Sequence, residues 1–319
     1  MAVKVQRHWS RSEDVRLAFQ TQFGRSYKAS IETFVKSREA KQLRGKVQLI
    51  LTSPPFPLAS PKSYGNRTGE AYVRWLTDVC KSLRELLKPN GSLVLEIGNS
   101  WDKGSPTMST LPLETLISIK NSVNLHICQQ FICNNPNRLP SPIAYVNKER
   151  NRVKDSYTHV WWFGRTPRPY ADNRKILLDY SPAMRRLLER QKYNSGTRPS
   201  EHVIGSSSFL TDNGGSIPPN FLDVAPGHRF KNWLEFTGSS TDPKYSKYCV
   251  ENRIKPHPAR MQAGLAEFFI RFLTRRGDLV FDPFAGSNTT GSIAEDLERK
   301  WVATEMSPEY IRGSIGRFS

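Results

Sequence analysis

An open α/β fold, with a mostly parallel twisted sheet and helices on both faces, is predicted by three observations. The run Val47-Gln48-Leu49-Ile50-Leu51 stops at Thr52-Ser53-Pro54-Pro55-Phe56, and the run Leu279-Val280-Phe281 stops at Asp282-Pro283-Phe284-Ala285-Gly286-Ser287. Apolar runs that end in turn residues mark the carboxyl ends of buried parallel strands, where ligands bind in such sheets. Between these runs, segments of helical period alternate with short apolar ones. The first stop carries an aromatic and two prolines, suited to a flat base. The second is a Gly-rich turn, suited to a cofactor. About 230 residues separate the two stops, yet one sheet can bring them side by side.

The elements follow in chain order. Residues 1 to about 45 are polar with weak helical periodicity. A strand spans 47–51, and Pro57 to Gly69 reads as a loop. Tyr72, Trp75, Leu76, Val79, Leu83, Leu86 and Leu87 keep helical spacing, which predicts a helix from Ala71 to Leu87. Lys88-Pro89-Asn90-Gly91 breaks it. Strands are expected at Ser92–Ile97, His126–Cys133 and Thr158–Gly164, with a helix at Pro112–Asn121 between the first two. From about Arg165 to Lys255 the pattern dissolves into turn-rich sequence. Lys and Arg outnumber Asp and Glu by 16 to 9 between Gly164 and Arg260. The stretch keeps Phe221, Trp233, Phe236 and Tyr245, so it reads as a nucleic-acid-contacting insertion rather than a linker. Order returns with a helix at Met261–Leu273, the strand at 279–281, a helix at Ser292–Arg299 and a strand at Trp301–Thr304, with Glu305 at its carboxyl end.

Composition narrows the partners. The chain has 319 residues and a formal net charge of +18, which favours a polyanion, nucleic acid first and an anionic membrane second. No apolar run approaches the ~20 residues of a membrane span, and the first 16 residues lack a signal-peptide core. A cytoplasmic location is expected. Cys80, Cys128, Cys133 and Cys249 are not spaced as a zinc site, so no structural metal is expected. Cys128 and Cys133 read as buried small residues. His126 and His159 read as core histidines, and Trp161-Trp162-Phe163 as strand core.

Ser53-Pro54-Pro55-Phe56 after a strand, with Asp282-Pro283-Phe284-Ala285-Gly286-Ser287-Asn288-Thr289-Thr290-Gly291 late in the chain, resembles the amino-methyltransferases of DNA. Ser in the first motif resembles the N4-cytosine branch, since the N6-adenine branch usually has Asp or Asn there. Catalytic motif first and cofactor motif last looks like the β-type order. The resemblance implies a Rossmann-like, circularly permuted S-adenosylmethionine-dependent fold. It divides the chain into a catalytic half (1–164), a target-recognition region (165–255) and a cofactor half (256–319). It covers most of residues 45–315 and is weakest within 165–210.

The residues suit that chemistry. The lone pair of an exocyclic amine is delocalised into the ring, so acceptors must hold its N–H groups while nitrogen pyramidalises. Ser53 Oγ and the Pro54 carbonyl are expected to be those acceptors, with Pro54 and Pro55 fixing the backbone and Phe56 stacking on the base. This is catalysis by positioning. For the cofactor, Gly286 permits close backbone approach, and the following helix N-terminus faces a carboxylate. Asp282, Pro283, Phe284, Ala285, Ser287 and Thr289 complete that loop, and Thr290 adds a hydroxyl. Glu305 is expected to accept the ribose hydroxyls. His257-Pro258-Ala259-Arg260-Met261 resembles the segment that closes over the methionine end. Lys148, Arg150, Arg152 and Lys154 are expected to contact DNA phosphates, and Asn151-Arg152-Val153-Lys154-Asp155 matches a family segment. Many relatives carry Gly-Asp-Ser upstream, whereas Lys28-Ala29-Ser30 here lacks the Asp. Adenine recognition is therefore unassigned.

The function expected is methylation of cytosine N4 in double-stranded DNA, with a cognate restriction endonuclease as companion. N6-adenine methylation on the same scaffold is one alternative. A non-catalytic nucleic-acid-binding module is the other.

Overall fold

The computed structural model describes residues 4–5, 15–57, 67–135, 138–205, 207–223 and 243–318. In chain order the strands are β1 (Lys4–Val5), β2 (Arg16–Gln20), β3 (Gly24–Lys28), β4 (Val47–Thr52), β5 (Leu87–Gly98), β6 (His126–Asn134), β7 (Tyr157–Gly164), β8 (Gly196–Thr197), β9 (Val203–Ile204), β10 (Phe221–Asp223), β11 (Leu279–Asp282) and β12 (Lys300–Glu305). The helices are α1 (Ile31–Phe34), α2 (Arg38–Leu43), α3 (Gly69–Arg84), α4 (Leu111–Ser122), α5 (Pro182–Arg190), α6 (Pro243–Glu251), α7 (Ala263–Leu273), α8 (Thr289–Asp296) and α9 (Pro308–Ser314).

Ten strands form one sheet in the order β1-β2-β3-β12-β11-β4-β5-β7-β6-β10. From β3 to β5 every neighbour is parallel. β7 then runs antiparallel between β5 and β6. The expected α/β architecture is thus observed, and β11 lies directly beside β4. That junction is where the strand order reverses: the chain leaves β11 towards β12 and leaves β4 towards β5. The crevice outside the carboxyl ends at such a point is the ligand site of an open sheet.

Both faces of the sheet are covered, which is why its central strands are mostly apolar. Leu49 and Leu51 enter a core with Leu265, Phe269 and Ile270 of α7, Ile293 of α8 and Ile311 of α9. Val47 and Ile50 enter the opposite core with Tyr72, Leu76, Val79 and Leu83 of α3 and Ile119 of α4. A register shift between Val47 and Leu49 puts Val47 on the same face as Ile50. Trp161 and Phe163 are fully buried and Trp162 is 8% exposed, as expected for strand core.

Several expectations need correction. The polar N-terminal region contains the β2–β3 hairpin, not only weak helix, and β3 extends the sheet beside β12. The helix expected to reach Leu87 ends at Arg84, before Lys88-Pro89-Asn90-Gly91, and that segment lies within β5 rather than in a turn. The insertion is more ordered than its composition implies: it contributes α5 and α6, and β10 pairs with β6 at the sheet edge. Trp233 and Phe236 lie outside the described residues, whereas Tyr245 is fully buried. His126 and Cys128 are not core residues. The first half of β6 is largely exposed, which leaves His126 in solvent and Cys128 half-buried.

Candidate functional site

The two sequence stops meet at the β11/β4 junction. Thr52, the last residue of β4, donates its hydroxyl to Asp282 Oδ1 at 2.6 Å across 230 residues of sequence. Asp282 Oδ1 also accepts from the Phe284 amide at 3.1 Å, and Oδ2 from Thr290 Oγ1 at 2.7 Å. One buried carboxylate thereby ties β4, the Gly-rich turn and the start of α8 together. Burial pushes its pKa above the ordinary carboxylate value, while the two hydroxyls and the amide oppose the rise.

The turn after β11 is built tightly. Thr304 Oγ1 donates to the Pro283 carbonyl at 2.8 Å, and the Ala285 amide donates to the Thr304 carbonyl at 3.0 Å. Phe284 meets Trp75 of α3 edge-on at 5.7 Å between ring centroids. Gly286 has φ +51°, a conformation that suits glycine. A Cβ there would lie 3.0 Å from His257 Nε2, so the imidazole sits directly over the turn. Asn288 caps α8, its Oδ1 accepting the Gly291 amide at 3.2 Å. Its Nδ2 is buried and has no hydrogen-bond partner among the described residues.

Glu305 ends β12 beside this turn, as expected. Its Oε2 accepts the Gly286 amide at 2.9 Å and its Oε1 the Ser307 amide at 2.8 Å. Burial raises its pKa despite these bonds. The Met306 amide is a third donor to the carboxylate, which leaves about one of its four acceptor sites for a further donor. His257 packs edge-on against Tyr310 at 4.3 Å, its amide donates to Tyr245 Oη at 2.9 Å, and its Nδ1 accepts the Ala259 amide at 3.2 Å. Burial above all, with the positive charges of Arg260 and Arg317, pushes its pKa down to about 4, so the imidazole is neutral near pH 7.

Sequence reasoning missed Arg317. Its Nε donates to the Ser287 carbonyl at 2.6 Å and its Nη2 to Ser287 Oγ at 3.1 Å, while the guanidinium lies 4.8 Å from the Tyr245 ring. The chain end thus clamps the turn to α6. Ser287, Thr289 and Thr290 are all buried. The hydroxyls of Ser287 and Thr290 are engaged with Arg317 and Asp282.

On the other side of the junction, Ser53, Pro55 and Phe56 are half-buried and Pro54 is buried. Phe56 lies against Gly98 at the end of β5, where a Cβ would come within 2.7 Å of its ring. Glu96, also missed, is 7% exposed within the apolar run Leu93–Ile97. Ser53 hydrogen-bonds to its carboxyl, and Thr158 Oγ1 donates to its Oε1 at 2.9 Å. Burial raises the Glu96 pKa, opposed by those hydroxyls and by the Arg138 charge. An acid in a buried strand was the available signal.

A polar chain lines the next rung. His159 Nδ1 accepts from Gln130 Nε2 at 3.1 Å, so its Nε2–H donates to Asn99 Oδ1 at 3.0 Å. Asn99 Nδ2 and Trp101 Nε1 donate to the two oxygens of Asp155 at 3.4 and 2.8 Å. His159 is a satisfied histidine, as expected, but it is half-buried rather than a core residue. Lys148, Arg150, Arg152 and Lys154 are all exposed, on the arm that leads from β6 to β7. Arg152 donates to the Pro106 carbonyl at 3.0 Å and the Asn151 carbonyl at 2.7 Å, so it braces the arm.

Comparison with known proteins agrees with this geometry. A family model described as DNA methylase, covering N6 and N4 methyltransferases, matches residues 47–316. The type II methyltransferase M.PvuII of Proteus hauseri is 44% identical over 274 residues, 85% of this chain and 78% of that protein. The type II methyltransferase M.BglII of Bacillus subtilis is 24% identical over 83% of this chain and 61% of that one. Among solved structures, a PvuII DNA methyltransferase described as cytosine-N4-specific aligns with a TM-score of 0.72 and 35% identity, covering 94% of this chain and 87% of that one. The Thermus thermophilus DNA modification methylase TTHA0409, complexed with S-adenosyl-L-methionine, shares the fold at a TM-score of 0.53 and 18% identity, over 91% of each chain.

Proposed function

The chain belongs to the DNA methylase family of N6 and N4 methyltransferases, and on that premise we propose how its site transfers a methyl group to N4 of cytosine. It is a site-specific DNA methyltransferase that uses S-adenosylmethionine. The observation that carries the assignment of roles is the junction itself. A Ser-Pro-Pro-Phe stop and a Gly-rich stop lie on adjacent parallel strands, joined by the Thr52–Asp282 bond.

The residues present fit the cofactor. A positive-φ glycine gives backbone access, the Asn288 amide nitrogen is a buried donor without a partner among the described residues, and Glu305 has acceptor capacity beside it. Gly286, the first turn of α8 and His257 would hold the amino-acid end. Pro283, Phe284 and Ala285 would form the apolar wall, and Glu305 would take the ribose. Asp282, Ser287, Thr289 and Thr290 hold the turn in shape. When bound, the cofactor supplies an electrophilic sulfonium methyl.

The chain's own part is to orient the amine. Ser53 donates its hydroxyl hydrogen to Glu96, which leaves a Ser53 lone pair for one N4 hydrogen. The Pro54 carbonyl takes the other. Phe56, braced on Gly98, stacks on the base. Lys148, Arg150 and Lys154 hold phosphates, and residues 165–255 read the sequence. A cognate restriction endonuclease and a cytoplasmic location complete the reading. Among the described residues no helix is long and apolar enough to cross a membrane.

Nucleoside mass spectrometry of DNA treated with the protein and S-adenosylmethionine tests the product. N4-methylcytosine is expected. N6-methyladenine would assign the alternative base, and no methylated nucleoside would favour a binding module.

A further inference from the structure

The arm between β6 and β7 has a feature that phosphate binding does not explain. Leu139 is 80% exposed, Ile143 61% and Val153 87%. Single exposed aliphatic residues are common on protein surfaces. Three within fifteen residues, interleaved with charge, are a different matter. From Arg138 to Lys154 the arm carries five Lys and Arg against one Glu.

Hydrogen bonds tie the described part of the arm to the catalytic edge. At its base the Asn135 amide donates to the Ser156 carbonyl at 2.6 Å, and Arg138 Nη1 to the Tyr157 carbonyl at 3.0 Å. Further out, the Asp155 amide donates to the Ser141 carbonyl at 3.0 Å. The side chain of that same Asp155 is held by Asn99 and Trp101, at the end of the strand that carries Glu96 and Gly98. Near the tip, the Asn151 and Arg152 amides converge on the Tyr145 carbonyl at 3.0 and 3.3 Å. Ile143 and Val153 therefore lie on opposite limbs, between the 141–155 link and the 145–151 link. Pro140 and Pro142 restrict the backbone of Leu139 and Ser141 to extended conformations. Trp101 packs against Tyr145 at 6.1 Å. A preorganised apolar projection loses little conformational entropy when it inserts.

We propose that this arm is the wedge that opens the duplex: Leu139, Ile143 and Val153 enter the base stack at the target step and fill the space left by the everted cytosine, while Lys148 and Arg150 hold the flanking phosphates. The proposal rests on the functional reading above. Cytosine N4 is paired inside a duplex and cannot reach Ser53 there, so the base must leave the stack. Apolar side chains inserted between base steps stabilise unstacked DNA in other protein complexes. The arm presents such side chains, in a basic surround, on the hairpin that leads into β7 and Thr158, the partner of Glu96.

The test compares transfer to two duplexes that differ only opposite the target cytosine, one with guanine and one with an abasic site. The site itself is first mapped by sequencing DNA methylated by the wild-type protein. The variant is Leu139→Ser/Ile143→Ser/Val153→Ser, whose exposed positions leave the core untouched. Single-turnover transfer to the paired duplex is expected to fall by roughly tenfold or more, and transfer to the abasic duplex to stay within about twofold of wild type, because no partner then resists eversion. An equal loss on both duplexes, or no loss on the paired one, overturns the wedge. Absence of transfer by the wild-type protein to any DNA would overturn the functional reading together with it, and is recognisable before any variant is made.

Discussion

The two loops that meet at the sheet's switch point differ in how far their hydrogen bonding is closed by protein. In the Gly-rich turn, Asp282, Thr290, Ser287 and Glu305 are buried or half-buried and bonded to backbone or side chain on several sides. On the Ser53 side, the half-buried Ser-Pro-Pro-Phe stop leads to an arm whose apolar and basic tips stand in solvent. The difference teaches a division of labour. On the proposed reading, a small ligand of constant shape would meet a preformed turn, whereas a duplex that must be distorted would meet an open edge with a few fixed anchors. Preorganisation on the first side lowers the cost of binding. Exposure on the second would leave room for DNA.

Breaking the shared carboxylate should have the largest effect, because Asp282 serves both sides. Asp282→Ala leaves two hydroxyls and an amide unpaired in the core and is expected to cost about 2–4 kcal/mol of folding stability. It should lower cofactor affinity and methyl transfer together. A denaturant melt beside cofactor calorimetry checks this, and a stable variant with normal affinity would mean that the two loops are not coupled through Asp282.

Glu305→Ala should act on one side only. Cofactor affinity should weaken at least tenfold, about 1.4 kcal/mol, with part of the effect arising from release of the Gly286 and Ser307 amides. Affinity for DNA in the absence of cofactor should stay near wild type. Arg317→Ala sharpens the same side more gently. Loss of the clamp on Ser287 is expected to raise the KM for S-adenosylmethionine about fivefold at nearly unchanged kcat, and Arg317→Lys should restore part of it. A fall in kcat alone would place Arg317 elsewhere in the cycle.

The smallest effect is a pH dependence on the base side. Burial raises the Glu96 pKa above its ordinary 4.5, so the folded state holds this proton more tightly than the unfolded chain. Its stabilising share is complete below pH 4.5 and is lost as pH rises through the raised value. Glu96→Gln removes that slope. The Tm of the variant relative to wild type should therefore climb by about a few °C as pH rises from 4.5. A constant difference across that range would mean that Glu96 ionises as it does in the unfolded chain.

How much of this was legible in the sequence follows from where each signal lies. The strands β4 and β11 were readable because both faces are buried and the runs are mostly apolar up to their turn-forming stops. Glu305 was readable because a strand ends on it. The β2–β3 hairpin was not, since Gly24-Arg25-Ser26-Tyr27-Lys28 is short and mostly polar, and its place is set by pairing with β12. Helix α5 buries no residue fully, although Met184, Leu187 and Leu188 keep helical spacing and Ser181-Pro182 is a capping signal, and either could have found it. Glu96 was hidden within a run read only for its apolar character. Arg317 has its partner 30 residues away, in a turn whose bonding only the fold reveals.

The most direct test of the division between the two loops is Ser53→Ala, read in two ways on the same preparation. Calorimetry gives affinity for S-adenosylmethionine, and single-turnover transfer to DNA gives the chemical step. Affinity should remain within about twofold of wild type while the transfer rate falls roughly 100-fold or more. Lost cofactor affinity with a normal rate at saturation would contradict it and put Ser53 on the cofactor side.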